Sequence, residues 1–251
     1  MAAEKSSKKI TKVGDAATET NQSSNSGSTW QPSEDSKSKA TTNRVIAIVC
    51  WAVAIGLQVW AYFKLQEVPV NMAWMIGLIV GALIFAVIGN LLWKKANRFD
   101  PASKENKFKF FVQNQLGMII SVLAFLPMVI LIFTNKNLSG KQKGILGTVA
   151  AAALAIAGLT GTDFNPPSVE EYTEQTQRVE DLNNGINNVY WTKSGKSYHL
   201  YETCGYINSN RTTEIFQGTV ANARELKKIT DLCDRCAGQA EKAKALDVST
   251  E

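Results

Sequence analysis

Four stretches of this chain run for 19 residues or more without a charged side chain: Val45–Phe63, Val68–Trp93, Phe110–Asn135 and Gly144–Thr162. At about 1.5 Å per residue, each is long enough as a helix to cross a hydrocarbon layer of about 30 Å. Aromatic residues, Trp51, Trp60, Tyr62, Trp74 and Trp93, include several near the ends, where amphipathic rings favour a membrane interface. The fourth run, "GILGTVAAAALAIAGLTGT", is built mainly from alanine and glycine, a composition that also suits a buried or interfacial helix. Gly147, Ala151 and Ala155 recur in it at four-residue spacing, the pattern that lets membrane helices approach closely. It is therefore read as a span. The expected spans are 45–63, 71–93, 112–134 and 144–161.

The composition divides accordingly. Residues 1–43 hold almost no large apolar side chains and are expected to form a disordered polar tail. Residues 44–162 form the transmembrane region, and 163–251 return to the composition of a soluble protein. A mean hydropathy of -0.09 averages these unlike parts. The first apolar run starts at residue 45 and is too long for a signal-peptide core.

The net charge of +5 does not form a nucleic-acid patch. Lys94, Lys95, Arg98, Lys104, Lys107 and Lys109 lie between two spans, where basic residues mark a cytoplasmic loop. With the N-terminus inside, they are joined by Lys37, Lys39, Arg44 and Arg178, against Lys64, Lys136, Lys141 and Lys143 outside. That bias sets the N-terminus in the cytoplasm, and four crossings return the C-terminus there. The basic loop 135–143 argues locally the other way, and a fourth run that did not cross would leave the C-terminal part outside. No Asp, Glu, Lys, Arg or His interrupts a span, which disfavours proton relays, ion pathways and voltage sensors. The polar groups are Gln58, Asn71, Asn90, Gln113, Asn114 and Gln115, mostly near span ends, and Pro127 is expected to kink the third span. An anchor or small helical bundle fits better than a transporter or channel.

After the spans, Pro166-Pro167 end the helix, and Ser168 with Glu171 forms a capping-box pattern for a helix over 168–183 within a linker, 163–186. "VYWTKSGKSYHL" predicts a hairpin turning at Gly195, "TEIFQG" a strand, and Thr219 a cap for the helix "VANARELKK". This module is placed at 187–240, with a tail over 241–251. The fold expected is a membrane α-helical, four-helix transmembrane bundle plus a small α+β module.

The chain's one histidine, His199, stands five residues before Cys204, and Cys233 and Cys236 follow as a CxxC. A fold of about 50 residues has little core, and a structural metal compensates. Thiolate and imidazole are zinc's structural ligands, and a CxxC supplies two adjacent tetrahedral corners. His199, Cys204, Cys233 and Cys236 would close a Cys3His site for Zn2+ with no position left for a catalytic water. Three alternatives compete. A disulfide would leave one of the three module cysteines odd, a redox CxxC needs a βαβ setting, and His199 as an ordinary strand residue needs no metal. Cys50, inside the first span, reads as a small packing residue.

"VYWTKSGKSYHLYETCGYI…GTVANARELKKITDLCDRC" follows the pattern Y-H-x4-C, a Gly-Thr-led helix, then C-x2-C. It is distantly similar to the metal-binding domain of Ada-type alkylation-repair regulators. The membrane half, with "DFNPPS" after its last span, resembles uncharacterised multi-pass proteins of Gram-positive bacteria. The Ada-type resemblance implies zinc binding. Those domains hold zinc with four cysteines, one a methyl acceptor, whereas His199 stands among the four here, so the resemblance does not extend to repair.

The function expected is that of an integral membrane protein whose zinc module serves structure or contact with a protein partner, with the lipid bilayer as its other surroundings and no enzymatic constellation. Two alternatives stand beside it. One is a membrane-tethered nucleic-acid-binding module using Tyr190, Trp191, Tyr198 and Tyr201, disfavoured because residues 163–251 hold more acids than bases. The other is a metal or redox sensor with a thiol activated by Arg235, Lys227 and Lys228.

Overall fold

The computed structural model describes residues 9–13 and 29–248. Its contacts divide the chain into two compact units.

The first unit, residues 32–168, contains α1 (Glu34–Gln66), α2 (Met72–Phe99), α3 (Lys107–Thr134) and α4 (Gly140–Gly161). All four are long and apolar enough to cross a membrane. Each starts on a side chain that accepts a backbone N–H three residues on: Ser33 from Ser36, Asn71 from Trp74, Asn106 from Lys109 and Ser139 from Gln142. The fourth apolar run forms its helix with a full capping box between Ser139 and Gln142.

The helices outrun their apolar segments. Helix α1 begins at Glu34, inside the tail expected to be disordered over 1–43. The Ser33 cap and the ion pairs Lys37–Glu34 (2.8 Å) and Lys39–Asp35 (2.5 Å) support that polar first turn. The tail expectation also fails at Lys9–Lys12, which form a strand described below. Residues 1–8 and 14–28 of it lie outside the described residues.

Small residues set the packing of α1 along α2. Ala40, Ala47, Ala54 and Ala61 recur every seven residues and are at most 2% exposed, with Trp51 and Gln58 between them and Leu65 beyond. On α2 the seam is Met75, Ile79, Ala82, Ala86, Gly89 and Ala96. A seven-residue repeat is the period of coiled-coil packing, and alanine at the seam lets the helix axes approach. At Gly89 the Trp51 indole occupies the space of a side chain: a Cβ would fall 2.6 Å from it. Helices α3 and α4 meet through Gly117 and Gly161, where a Cβ on Gly161 would lie 2.5 Å from the Gly117 carbonyl carbon.

One amide joins all four helices. Asn90, fully buried on α2, accepts from Trp51 Nε1 of α1 (3.0 Å). Its Nδ2 donates to Ser121 Oγ of α3 (3.1 Å) and to the Ala157 carbonyl of α4 (2.9 Å). Ser121 in turn donates to the Gly117 carbonyl (2.7 Å). A second polar layer contains Arg44, which donates to Asp100 Oδ2 (2.6 Å), and Asn97 and Trp93, both of which donate to the Gln113 carbonyl (2.9 and 2.7 Å). Gln58 differs: it is 6% exposed, and neither amide atom meets a partner among the described residues.

The second unit joins residues 169–248 with 9–13 and 29–31. Its elements are β1 (Lys9–Lys12), α5 (Val169–Leu182), β2 (Val189–Trp191), β3 (Ser197–Tyr198), β4 (Glu214–Gly218), α6 (Val220–Lys227), β5 (Asp231–Leu232) and α7 (Asp234–Val248). One sheet has the order β1-β4-β2, with β1 parallel and β2 antiparallel to β4; the other pairs β3 and β5 in parallel. The expected hairpin survives as a reciprocal pair, Tyr190 N–H to His199 O (2.8 Å) and His199 N–H to Tyr190 O (2.7 Å). Helix α6 is capped by Thr219 as expected and closes on Lys228 in the left-handed region, φ 59°. Helix α7 runs through most of the expected tail over 241–251, because "AEKAKAL" is rich in strong helix formers; residues 249–251 lie outside the described residues.

A buried guanidinium ties α6 to α5. Arg224, 4% exposed, pairs with Glu171, donates to Gln175 Oε1 (2.6 Å) and lies 4.4 Å over the Tyr172 ring. Trp30 packs edge-on against Tyr172 at 4.6 Å, and its backbone N–H donates to Thr173 Oγ1 (2.9 Å).

The two amides of the first unit predict opposite responses. Asn90→Leu removes a hub and destabilises the helices by about 2 kcal/mol. Gln58→Met keeps the shape, discards an unpaired buried amide and stabilises them by about 1 kcal/mol. Thermal unfolding of the two variants in one detergent distinguishes the two signs.

Candidate metal centre

The four residues singled out in the sequence arrive from three pieces of chain. His199 follows β3 and is fixed by its reciprocal backbone pair with Tyr190. Cys204 starts a tight turn, its carbonyl accepting from Ile207 (3.0 Å) and Asn208 (2.8 Å). Cys233 follows β5, with its N–H donated to the Tyr198 carbonyl (2.9 Å) and its carbonyl accepting the Ala237 N–H (3.0 Å) at the start of α7. Cys236 sits in the first turn of that helix. The parallel β3–β5 pair sets Tyr198 opposite Leu232, so the residues that follow, His199 and Cys233, emerge side by side.

One ligand atom from each of the four lies within 4.8 Å of the others. His199 Nδ1 is 3.7 Å from Cys236 Sγ. A tetrahedron of ligands with bonds of about 2.3 Å to a central metal has edges of about 3.8 Å, so this spacing suits one ion held by all four. All four cysteines are free, and exposure at the centre is low: His199 4%, Cys204 9%, Cys233 6% and Cys236 1%. The centre lies within the module's apolar core, among Leu200, Ile207, Leu232 and Ala237.

Burial also sets the protonation of the metal-free centre. It pushes the Cys236 thiol up to about 12, with the Cys204 side chain adding to the rise, while the backbone amides of Leu200 and Tyr201 pull the other way. It lowers His199 below its ordinary 6.5. Cys236 therefore keeps its proton at neutral pH in the metal-free centre, and a cation displaces that proton as it binds. Three thiols and one imidazole suit borderline and soft metals such as zinc, cuprous copper and iron, and four protein donors fill a tetrahedron.

The centre bears on the sensing alternative, which requires a depressed thiol pKa; burial drives Cys236 in the opposite direction. It bears also on the nucleic-acid alternative. Trp191 is fully buried and Tyr198 is 1% exposed, so two of the four aromatics named for base stacking form core instead. Sequence reasoning missed Arg224 and strand β1; in the letters Arg224 is one base among several in α5 and α6, beside Arg178 and Lys227, and gave no distinguishing signal.

Two responses follow. In the metal-free protein, His199 favours the neutral form, so its contribution to module stability is present above pH 6.5 and lost as pH falls. Cys236 also favours its neutral form, so its contribution is present below its ordinary 9.0 and lost as pH rises toward 12. Stability of the metal-free module should peak between those limits in a pH series of amide-exchange protection at α6. Cys233→Ser should lose bound metal, read by elemental analysis, and fall to the lower, metal-free level of that protection in the same sample.

Against families, curated proteins and solved structures, the chain shows no match to any of them, and none carries the likeness to Ada-type domains.

Proposed function

We propose that this chain is a four-span protein of a bacterial plasma membrane that carries a structural zinc module on the cytoplasmic face, where the module contacts a protein partner. The reading is non-enzymatic. The observation that carries it is the convergence of His199, Cys204, Cys233 and Cys236, all buried, with their ligand atoms within 4.8 Å. Zinc is favoured among metals because a closed Cys3His set is its structural signature. Binding of zinc to such small units supplies about 10–16 kcal/mol of folding free energy in zinc-finger peptides, ample for a module with so little core.

Same-side termini support the topology. Residues 9–13 precede the first apolar helix and residues 169–248 follow the last, yet they share one sheet and one compact unit. A chain that leaves that unit at residue 31 and returns at 169 crosses the bilayer an even number of times. This favours crossing by α4 along with the other three. The basic residues of loop 94–109 then favour the cytoplasm for the module.

Purified full-length protein should contain one zinc per chain by elemental analysis. Protease-cleavable tags placed at residues 2 and 250 should both be cut in inside-out vesicles and both protected in right-side-out ones. Cleavage of the two tags from opposite faces would overturn the topology. Metal-free protein with full amide protection in α6 would overturn the structural role of zinc.

A further inference from the structure

The outer strand of the larger sheet comes from far away in the chain. Strand β1 pairs in parallel with β4, Lys9 opposite Glu214 through Lys12 opposite Gln217. The pairing is mostly backbone: the Lys9 side chain is 77% exposed and Ile10 is 41% exposed. Beyond the ladder, Val13 N–H donates to the Gln217 carbonyl (2.8 Å), and Val13 packs at the edge of the core. One side chain reads the strand. Glu214 accepts from Thr11 Oγ1 (2.5 Å) and faces Lys9 Nζ at 3.7 Å.

Without β1, β4 would present a bare edge of backbone donors and acceptors, the template on which extended peptides add as strands. The covering segment is cationic, with Lys9 and Lys12, whereas residues 169–248 hold more acids than bases. Contact is made across 203 positions of sequence between Thr11 and Glu214. Its few buried side chains place it at the weakly held end of local stability.

We propose that the β4 edge is a docking site for an extended cationic peptide segment of a partner protein, occupied in cis by residues 9–13 as a displaceable self-ligand. The site selects backbone in strand conformation, with a lysine and a hydroxyl residue two positions apart that meet Glu214. Attachment to the chain gives the cis strand a high effective concentration, so a free partner competes only when its segment binds more tightly or β1 is held away.

The test uses the full chain in nanodiscs and a fluorescent peptide of residues 7–14, SKKITKVG. Protein lacking residues 1–13 should bind the peptide at least tenfold more tightly than intact protein. Val13→Pro, which removes the hydrogen bond to Gln217, should also raise affinity in the otherwise intact chain. Glu214→Lys in the truncated chain should weaken the peptide at least tenfold. Amide exchange at Tyr190 and His199, compared between proteins of equal metal content, reports the fold. A folded truncated chain that binds no better than the intact one overturns the proposal. So does loss of protection on truncation, because a strand whose removal unfolds the module is a structural part and not a ligand.

Discussion

Four side chains that must all be buried and must all be polar or ionisable are the constraint on which the C-terminal module turns. His199, Cys204, Cys233 and Cys236 occupy the middle of a small apolar core, where a larger domain would place leucines. Every local choice around them serves their convergence. The Tyr190–His199 pair fixes one ligand, the β3–β5 register brings Cys233 beside it, and the first turn of α7 delivers Cys236. Thiols and an imidazole gain little from burial by themselves. The arrangement makes energetic sense when a cation replaces their protons and the protein–metal bonds stand in for missing hydrophobic core.

The helical unit answers a related problem with different means. In a layer without water, polar groups need partners within the protein, and apolar side chains gain nothing from meeting one another rather than lipid. Close contact therefore depends on small residues, with alanine repeated along α1 and glycine at the α3–α4 crossing, and on Asn90, which bonds to all three other helices. Gln58 sits on the same seam as the alanines without such partners.

Much of this was legible in the sequence because the signals were local or compositional. Uncharged runs located the four helices, and Thr219 and Ser168 announced helix starts within a residue of where α6 and α5 begin. The sole histidine and three nearby cysteines pointed to one cluster. What stayed hidden depends on three-dimensional partners. Asn90 reads as one amide among several until Trp51, Ser121 and Ala157 are seen around it. The seven-residue alanine repeat, 40, 47, 54 and 61, was present in the letters but crosses the boundary between the polar tail and the apolar run. Strand β1 could not be inferred from "KITK": its hydrogen bonds go to β4, some two hundred residues away.

X-ray absorption at the metal edge of the native full-length protein tests the central claim most directly, because it reads element and ligands together. The account predicts zinc with three sulfur ligands at about 2.3 Å and one nitrogen at about 2.0 Å, and no bound water. A different metal, a first shell containing oxygen, or fewer than three sulfurs would contradict it.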